Sequence, residues 1–465
     1  MVYQAQRIRD PIHNIIGFEA EQFDNAMWQV LCTKPFQRLR RIKQLGFSDF
    51  VYPGATHSRF AHSVGVFHTA RRLMEIIKSS VGNPGFQHTR AQVALAASLV
   101  HDVGHGPFSH AFEDVGRRLK LKLADHEFVS DQLIRDSELS IALKELGGGF
   151  HEDVADVIAS DGPKSVYDAV VSSQFDADRL DYMRRDRMMA GSSHGVIDYE
   201  WLVANLEVGT VPLVVDEEKA GEIETFIIGP KAVHAAEAYV LGLFQLYPTI
   251  YLHKTTRGVV KLFTEMMVRV FQLIIDGSVY KTGLTKNHPI AKFAKSPDSL
   301  ELALALDDTV VWGALSQIAS GSDKLCANLS SRLIERKLLK CFDVREVFKS
   351  KIRTTVKSDE IRDITDRSVA RIIEKFEIYR ASNSGKLILF DQASRPPYKK
   401  FHESKGPLNQ IRVRTANGQT ADLGEFSPIV RAIRTFESAR YYFDRDDHQS
   451  CEILESIIEE ETPNG

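Results

Sequence analysis

The sequence predicts a mainly α protein: a helical core with a small β-hairpin and a C-terminal α+β extension. Three observations carry that expectation. Apolar residues recur three and four apart through most of the first 275 residues, the period of a helix with one buried face. Strand-like alternation is confined to residues 206–228 and to the chain beyond Gly385. No segment repeats, and no apolar run approaches the roughly 18 to 20 residues that a membrane span needs. The core is placed at 1–275 and the extension at 276–465.

Taken in order, helical periodicity is expected over 24–45, 58–80, 88–103, 107–120, 126–136 and 150–160. Asp10-Pro11 and Pro53-Gly54 read as turns. Phe36 to Gly46 reads as an amphipathic helix stopped by glycine, its arginines and lysine on a solvated face. Within 174–190, Asp178, Tyr182 and Asp186 share a helix face by four-residue spacing. Arg184 and Arg185 are expected in surface ion pairs, and Asp176 and Asp178 turn inward beside Leu180. Leu206–Asp216 and Thr225–Ile228 form the hairpin. A helical block follows over 231–275, then helices at 298–320, 323–340 and 358–381. Lys386–Asp391 and Gln410–Arg414 read as strands joined by a polar, proline-containing segment, 393–408. A last helix is expected at 424–444, with Glu452 to Glu461 a frayed or peripheral end.

Composition narrows the function classes. Apolar content of 43% and charged content of 26% are those of a soluble globular protein. A formal net charge of −3 argues against a generally basic nucleic-acid binder. Cys32, Cys326, Cys341 and Cys451 form no C-x-x-C pair, so neither a zinc ribbon nor a disulfide framework is expected, and a reducing compartment fits. The first ten residues hold no apolar signal region, so a cytoplasmic location is expected.

The chemistry concentrates in His101-Asp102-Val103-Gly104-His105-Gly106-Pro107-Phe108-Ser109-His110. Imidazole and carboxylate at the end of an apolar helix are what a divalent transition metal accepts, and the two glycines let the backbone turn closely past what is bound. Arg59 and His62, three apart, share a face of another helix, and Asp178 comes from a third. His62, His101, Asp102 and Asp178 make a set of two imidazoles and two carboxylates suited to iron, manganese, zinc or, less well, magnesium. Such a centre supports hydrolysis of a phosphate ester. The surplus His105, His110 and His126 are candidate phosphate donors or general acids, with Glu113 placed to orient His126. Arg59 and Arg179 offer guanidinium forks for phosphate oxygens. No P-loop, Ser-His-Asp triad or Rossmann glycine motif is present.

The order His62, His101-Asp102, Asp178 resembles the HD-domain phosphohydrolase superfamily. The runs Pro35 to Gly46, Tyr52 to Ser63, 101–112, His126-Glu127 and Asp176 to Asp186 are similar to the deoxynucleoside triphosphate triphosphohydrolases related to the sterile-alpha-motif/HD-domain enzyme, without its sterile-alpha-motif domain. Thinner similarity continues at Tyr251 to Lys254, Asn409 to Arg414 and Ser438 to Phe443. The resemblance implies that His62, His101, Asp102 and Asp178 hold the metal, with a further magnesium ion accompanying the nucleotide. It implies that His126, Glu113 and His105 form the catalytic group, and that Arg59, His105, His110 and Arg179 contact the triphosphate. Gln44, Leu45, Tyr182, Asp186 and Tyr251 fall where the family holds the sugar. The implied reaction attacks the α-phosphorus and releases nucleoside and triphosphate; the implied assembly is a homo-oligomer, dimer or tetramer. No membrane partner is expected, and nucleic acid is a possible partner that the sequence does not indicate.

Two positions depart from the family. Leu243 stands where a phosphate-clamping arginine is expected, and no Arg or Lys occurs between Ala232 and Ile250. Either Lys254 or Arg257 substitutes, or the substrate carries fewer phosphates. Cys32 stands where the activator pocket has a base-reading aspartate, although Gln37 and Arg40 match. The alternatives are an HD enzyme acting on nucleoside mono- or diphosphates or single-stranded nucleic acid, and a non-catalytic nucleotide sensor.

Overall fold

The computed structural model describes residues 4–215, 218–352, 360–396, 398–399 and 406–462. It is mainly helical, as expected, and its segments form two interleaved compact units. The first comprises 1–249, 285–314 and 396–434; the second comprises 250–284, 315–395 and 435–465. Residue 275, the expected boundary, falls inside the first segment of the second unit. Among the described residues no helix is long and apolar enough to cross a membrane.

The first unit opens with an antiparallel hairpin, Gln6–Asp10 with Asn14–Phe18, that periodicity did not predict. Its turn is the expected Asp10-Pro11: Asp10 Oδ1 accepts the N–H groups of Ile12 and His13 at 2.8 and 3.0 Å, an Asx-type turn. The helix expected over 24–45 is broken into Gln22–Cys32, Lys34–Arg38 and a 3-10 turn at Leu39–Arg41. Pro35 has no N–H to give and its ring clashes with the preceding turn, so the chain restarts there. The basic face is not wholly solvated: Arg38 is buried and donates to the carbonyls of Leu306 and His105 at 2.9 and 2.8 Å.

Helices Arg59–Gly85, His88–Val100, His126–Arg135, Phe150–Ala159 and Ala177–Ala190 build the core close to their expected positions. Arg59–Gly85 packs against both His88–Val100 and Ala177–Ala190. Gly65 permits the second contact, because a Cβ there would overlap Asp181 Oδ1 and Arg185 Nη2. The expected hairpin runs Leu206–Val215 and Glu218–Ile228, longer than the alternation suggests; Asp216 lies outside the described residues. Ile227 and Ile228 pair in parallel with Arg412 and Val413, and Arg412–Arg414 pairs antiparallel with Thr420–Asp422.

In the second unit, helix Lys254–Ile275 packs on Lys324–Ile334. A three-stranded sheet runs in the order Lys340–Asp343, Phe436–Phe443, Leu389–Arg395. The long helix expected at 424–444 is therefore wrong. Leu423–Phe426 and Pro428–Ala432 are short helices, and Phe436–Phe443 is the central strand. Arg-Tyr-Tyr-Phe at its end favours a pleated surface, and strands on both sides satisfy its backbone. The acidic end is also corrected. His448–Glu461 is a regular helix capped by Asp447, with Leu454 and Ile458 fully buried in the core that holds Phe376 and Tyr441.

Candidate metal and phosphate site

Three helices of the first unit deliver the central residues. Ser58 caps the helix that carries Arg59 and His62. His101 ends the apolar helix His88–Val100, and Asp102 follows in the turn. Asp176 caps Ala177–Ala190, on whose first turn Asp178 sits.

His62 Nε2 lies 3.0 Å from Asp178 Oδ1 and 3.6 Å from Asp102 Oδ2. His101 Nε2 lies 3.5 Å from Asp102 Oδ2 and 3.8 Å from Asp178 Oδ1. Ligands of one ion at about 2.0–2.2 Å stand roughly 3.0–3.5 Å apart, so the spacing is close to that of a bound set. Tautomers agree. His62 Nδ1 donates to Asp181 at 2.9 Å and His101 Nδ1 donates to the Ser98 carbonyl at 2.9 Å, which leaves both Nε2 lone pairs facing inward. Both Nε2 atoms are buried and make no hydrogen bond, as donor atoms reserved for an ion would be. Burial disfavours a charged His62, but Asp178 and Asp181 outweigh it and push its pKa up to about 10. A divalent ion would take that proton's place. His62, His101 and Asp178 thus form a group that could hold a metal, with Asp102 beside it.

Sequence reasoning missed the shell behind His62. Asp181 is fully buried, accepting from His62, from His13 Nε2 at 2.6 Å and from Arg185 Nε at 2.8 Å. Arg185, expected in surface pairs, is instead fully buried and also donates to Asp10 at 2.8 Å. Burial opposes the ionised form of Asp181, and Arg185 with the two histidines holds its carboxyl well below the usual range. The available signal was that Asp181 follows Asp178 by three and so shares its helix side.

Beside the metal set, Arg59 is buried, donating to Asp102 and, at 2.7 Å, to Ser109 Oγ. His105 Nε2 is 3.3 Å from Asp102 Oδ1, and its ring stacks on His126 with centroids 3.9 Å apart. His126 Nδ1 donates to Glu113 Oε1 at 2.7 Å. Burial lowers the His126 pKa, and the Glu113 carboxylate more than reverses this, so His126 is raised. His105 is driven well below the ordinary histidine value by burial, then by Arg59 and His126, and stays neutral. Glu113 is held well below the usual carboxylate range by His110 and His126 against its own burial. His110 is exposed, with Nδ1 donating to Glu113 at 3.0 Å.

The glycines of this turn approach protein rather than open space. A Cβ on Gly104 would overlap the His126 carbonyl and the Ser130 backbone, and one on Gly106 would press on the Phe112 ring. Close backbone contact at Gly104 is what brings His126 beside His105.

The expected sugar and phosphate contacts are placed unevenly. Gln44 donates its backbone N–H to the His57 carbonyl at 3.0 Å, and its buried Oε1 has no hydrogen-bond partner. Leu45, next in the chain, and Tyr182, one turn from Asp178, are half-buried. Asp186 is buried, and His57 Nε2 lies 2.8 Å from its Oδ1, so its carboxylate is already engaged within the protein. Arg179 reaches Asp176 and, at 2.5 Å, the Ser173 carbonyl. Tyr251 belongs to the second unit. There, Arg257 is committed to buried Asp391 at 2.5 Å, and Leu243 of the first unit is buried in the helix Val233–Leu246.

Comparison with known proteins follows this geometry. The HD domain family matches residues 59–183, the segment that supplies all four central residues. The uncharacterized protein YwfO of Bacillus subtilis is 28% identical over 91% of this chain and 88% of its own. The deoxynucleoside triphosphate triphosphohydrolase SAMHD1 of Mus musculus is 30% identical over 52% of this chain but only 39% of its own length. The crystal structure of a phosphohydrolase from Bacteroides thetaiotaomicron superposes with a TM-score of 0.70 at 24% identity, over 95% of this chain and all of that one, and so shares the fold. Residues 59–183, which carry His62, His101, Asp102 and Asp178, thus form a segment that matches the HD domain family.

Proposed function

We propose that the chain is a metal-dependent phosphohydrolase that converts deoxynucleoside triphosphates into deoxynucleoside and triphosphate. The observation that carries this reading is the coupling of the His62, His101, Asp102 and Asp178 set to the His126–Glu113 pair through His105, which touches Asp102 with one nitrogen and stacks on His126. An iron, manganese or zinc ion on the four ligands would offset phosphate charge and polarise a phosphoryl oxygen. His126, raised by Glu113, carries the proton that a departing sugar oxygen needs, and neutral His105 stacks on it and steadies its ring. Arg59 holds Asp102 in place and presents positive charge beside it. Gln44, Leu45 and Tyr182 are the sugar contacts in this reading. His110 and Arg179 meet the outer phosphates.

A second reading, a substrate with fewer phosphates, is favoured by one observation. Arg257, one of the two residues expected to substitute for the arginine lacking at Leu243, is engaged by Asp391. One digest separates the two. Metal-loaded protein is incubated with each nucleotide, and the products are resolved by ion-exchange chromatography. Nucleoside with tripolyphosphate supports the first reading. Inorganic phosphate from mono- or diphosphates, with triphosphates intact, replaces it by the second. No product from any nucleotide refutes both. Light scattering with and without nucleotide tests the homo-oligomer expected from the sequence.

A further inference from the structure

Three imidazoles converge on Glu113, where a proton-donating pair needs one. From Glu113 Oε1, His126 Nδ1 lies at 2.7 Å, His110 Nδ1 at 3.1 Å and His105 Nδ1 at 3.5 Å. His105 is 1% exposed, and its Nδ1 has no hydrogen-bond partner, so a buried polar atom is aimed at this carboxylate unsatisfied. One donor atom from each of the four side chains lies within 4.8 Å of the others. Ligands of a tetrahedral ion at about 2.0–2.1 Å are roughly 3.3 Å apart, and the three separations bracket that value. Three imidazoles with one carboxylate form a nitrogen-rich set that suits zinc and disfavours magnesium or calcium. The set shares no side chain with His62, His101, Asp102 and Asp178. His110, exposed at its edge, gives an ion a way in.

We propose that His105, His110, Glu113 and His126 form a second metal site, that it takes zinc, and that filling it inhibits turnover. The imidazole protons on the ligating nitrogens pass to solvent as the ion binds. His126, bound to the ion through Nδ1, is then no longer an imidazolium, and its remaining Nε2 proton is far less acidic and poorly given to a leaving group. The inhibitory half rests on the acid role proposed for His126; the binding half does not.

The test uses the full chain, stripped with chelator, dialysed against zinc and assayed for zinc per chain by plasma mass spectrometry, with circular dichroism recording the fold. Wild type should hold two equivalents. His110→Ala removes an exposed side chain and should weaken the second equivalent by at least about tenfold, and Glu113→Gln should remove it. A His62→Ala/His101→Ala variant should lose the first ion and keep the second; retention of both there would refute the first centre alone. One equivalent in wild type, or two undiminished in both His110→Ala and Glu113→Gln, overturns the second site. Excess zinc should lower the rate of enzyme already holding its first ion, and should lower the residual rate of His110→Ala far less. A wild-type rate indifferent to the second equivalent overturns the inhibition.

Discussion

His62 shows at the scale of one side chain how an ordinary histidine is oriented for the ligand role proposed for it. Its Nδ1 is committed to Asp181, so its Nε2 must face Asp102 and Asp178. Asp181 is a positioning residue, and Asp181→Asn should weaken metal affinity about 10- to 100-fold. Competition with a metallochromic chelator measures this, and an unchanged affinity would remove Asp181 from the account. His68, two turns along the same helix, carries a different prediction. Burial, then His13, Arg71, Arg72 and Arg184, lower its pKa from 6.5 to about 4. A depressed pKa means the folded state holds the neutral ring. Its contribution is therefore complete above about pH 6.5 and is lost as pH falls toward 4, amounting to about 1–2 kcal/mol after discounting for its partial exposure. Urea melts across that window should slope more steeply for wild type than for His68→Gln. Of these groups the sequence displayed only His62, because Asp181, His13 and Arg185 lie 168 or more residues apart from first to last and meet only on folding.

At the scale of elements, the turn after His101 is held from outside itself. Phe108 and Ser109 adopt positive φ, 55° and 58°, which side chains other than glycine rarely do. Asp308 fixes them: its carboxylate accepts the N–H of Phe108 at 2.6 Å and of Lys43 at 2.9 Å, while Ser109 Oγ donates to the Lys43 carbonyl at 2.8 Å. Asp308→Ala leaves two N–H groups without their acceptor and should cost about 2–3 kcal/mol, read by denaturant unfolding. Activity should fall further than stability if the turn sets His105 and His110; equal losses would reduce Asp308 to a scaffold role. Gly104→Ala is the complementary change. Its Cβ meets the His126 carbonyl and Ser130, so His126 should be pushed from His105, with turnover lost at neutral pH. An active Gly104→Ala enzyme would show that the His105–His126 stack is dispensable.

The whole molecule couples one legible site to an architecture that was only partly legible. Removing divalent ions with a chelator should abolish hydrolysis, and adding back manganese or iron should restore it; turnover that persists in chelated protein would exclude the metal reading. The sequence by itself determined the helical class, the approximate place of the core helices, and the His and Asp residues that gather. Those follow from local physics: apolar periodicity fixes a buried helix face, and a His-Asp pair at its apolar end goes inward with it. Only the tertiary structure decided that Phe436–Phe443 is a central strand, because two partner strands from 340–343 and 389–395 satisfy its backbone, and no local period reports partners so far away. The same holds for Glu452 to Glu461, whose charges suggested a loose end while Leu454 and Ile458 were finding a core to fill. It also decided that Arg185 and Arg38, charged and ordinary in sequence, are buried behind the site, since a guanidinium goes inside only where distant carboxylates and carbonyls meet it.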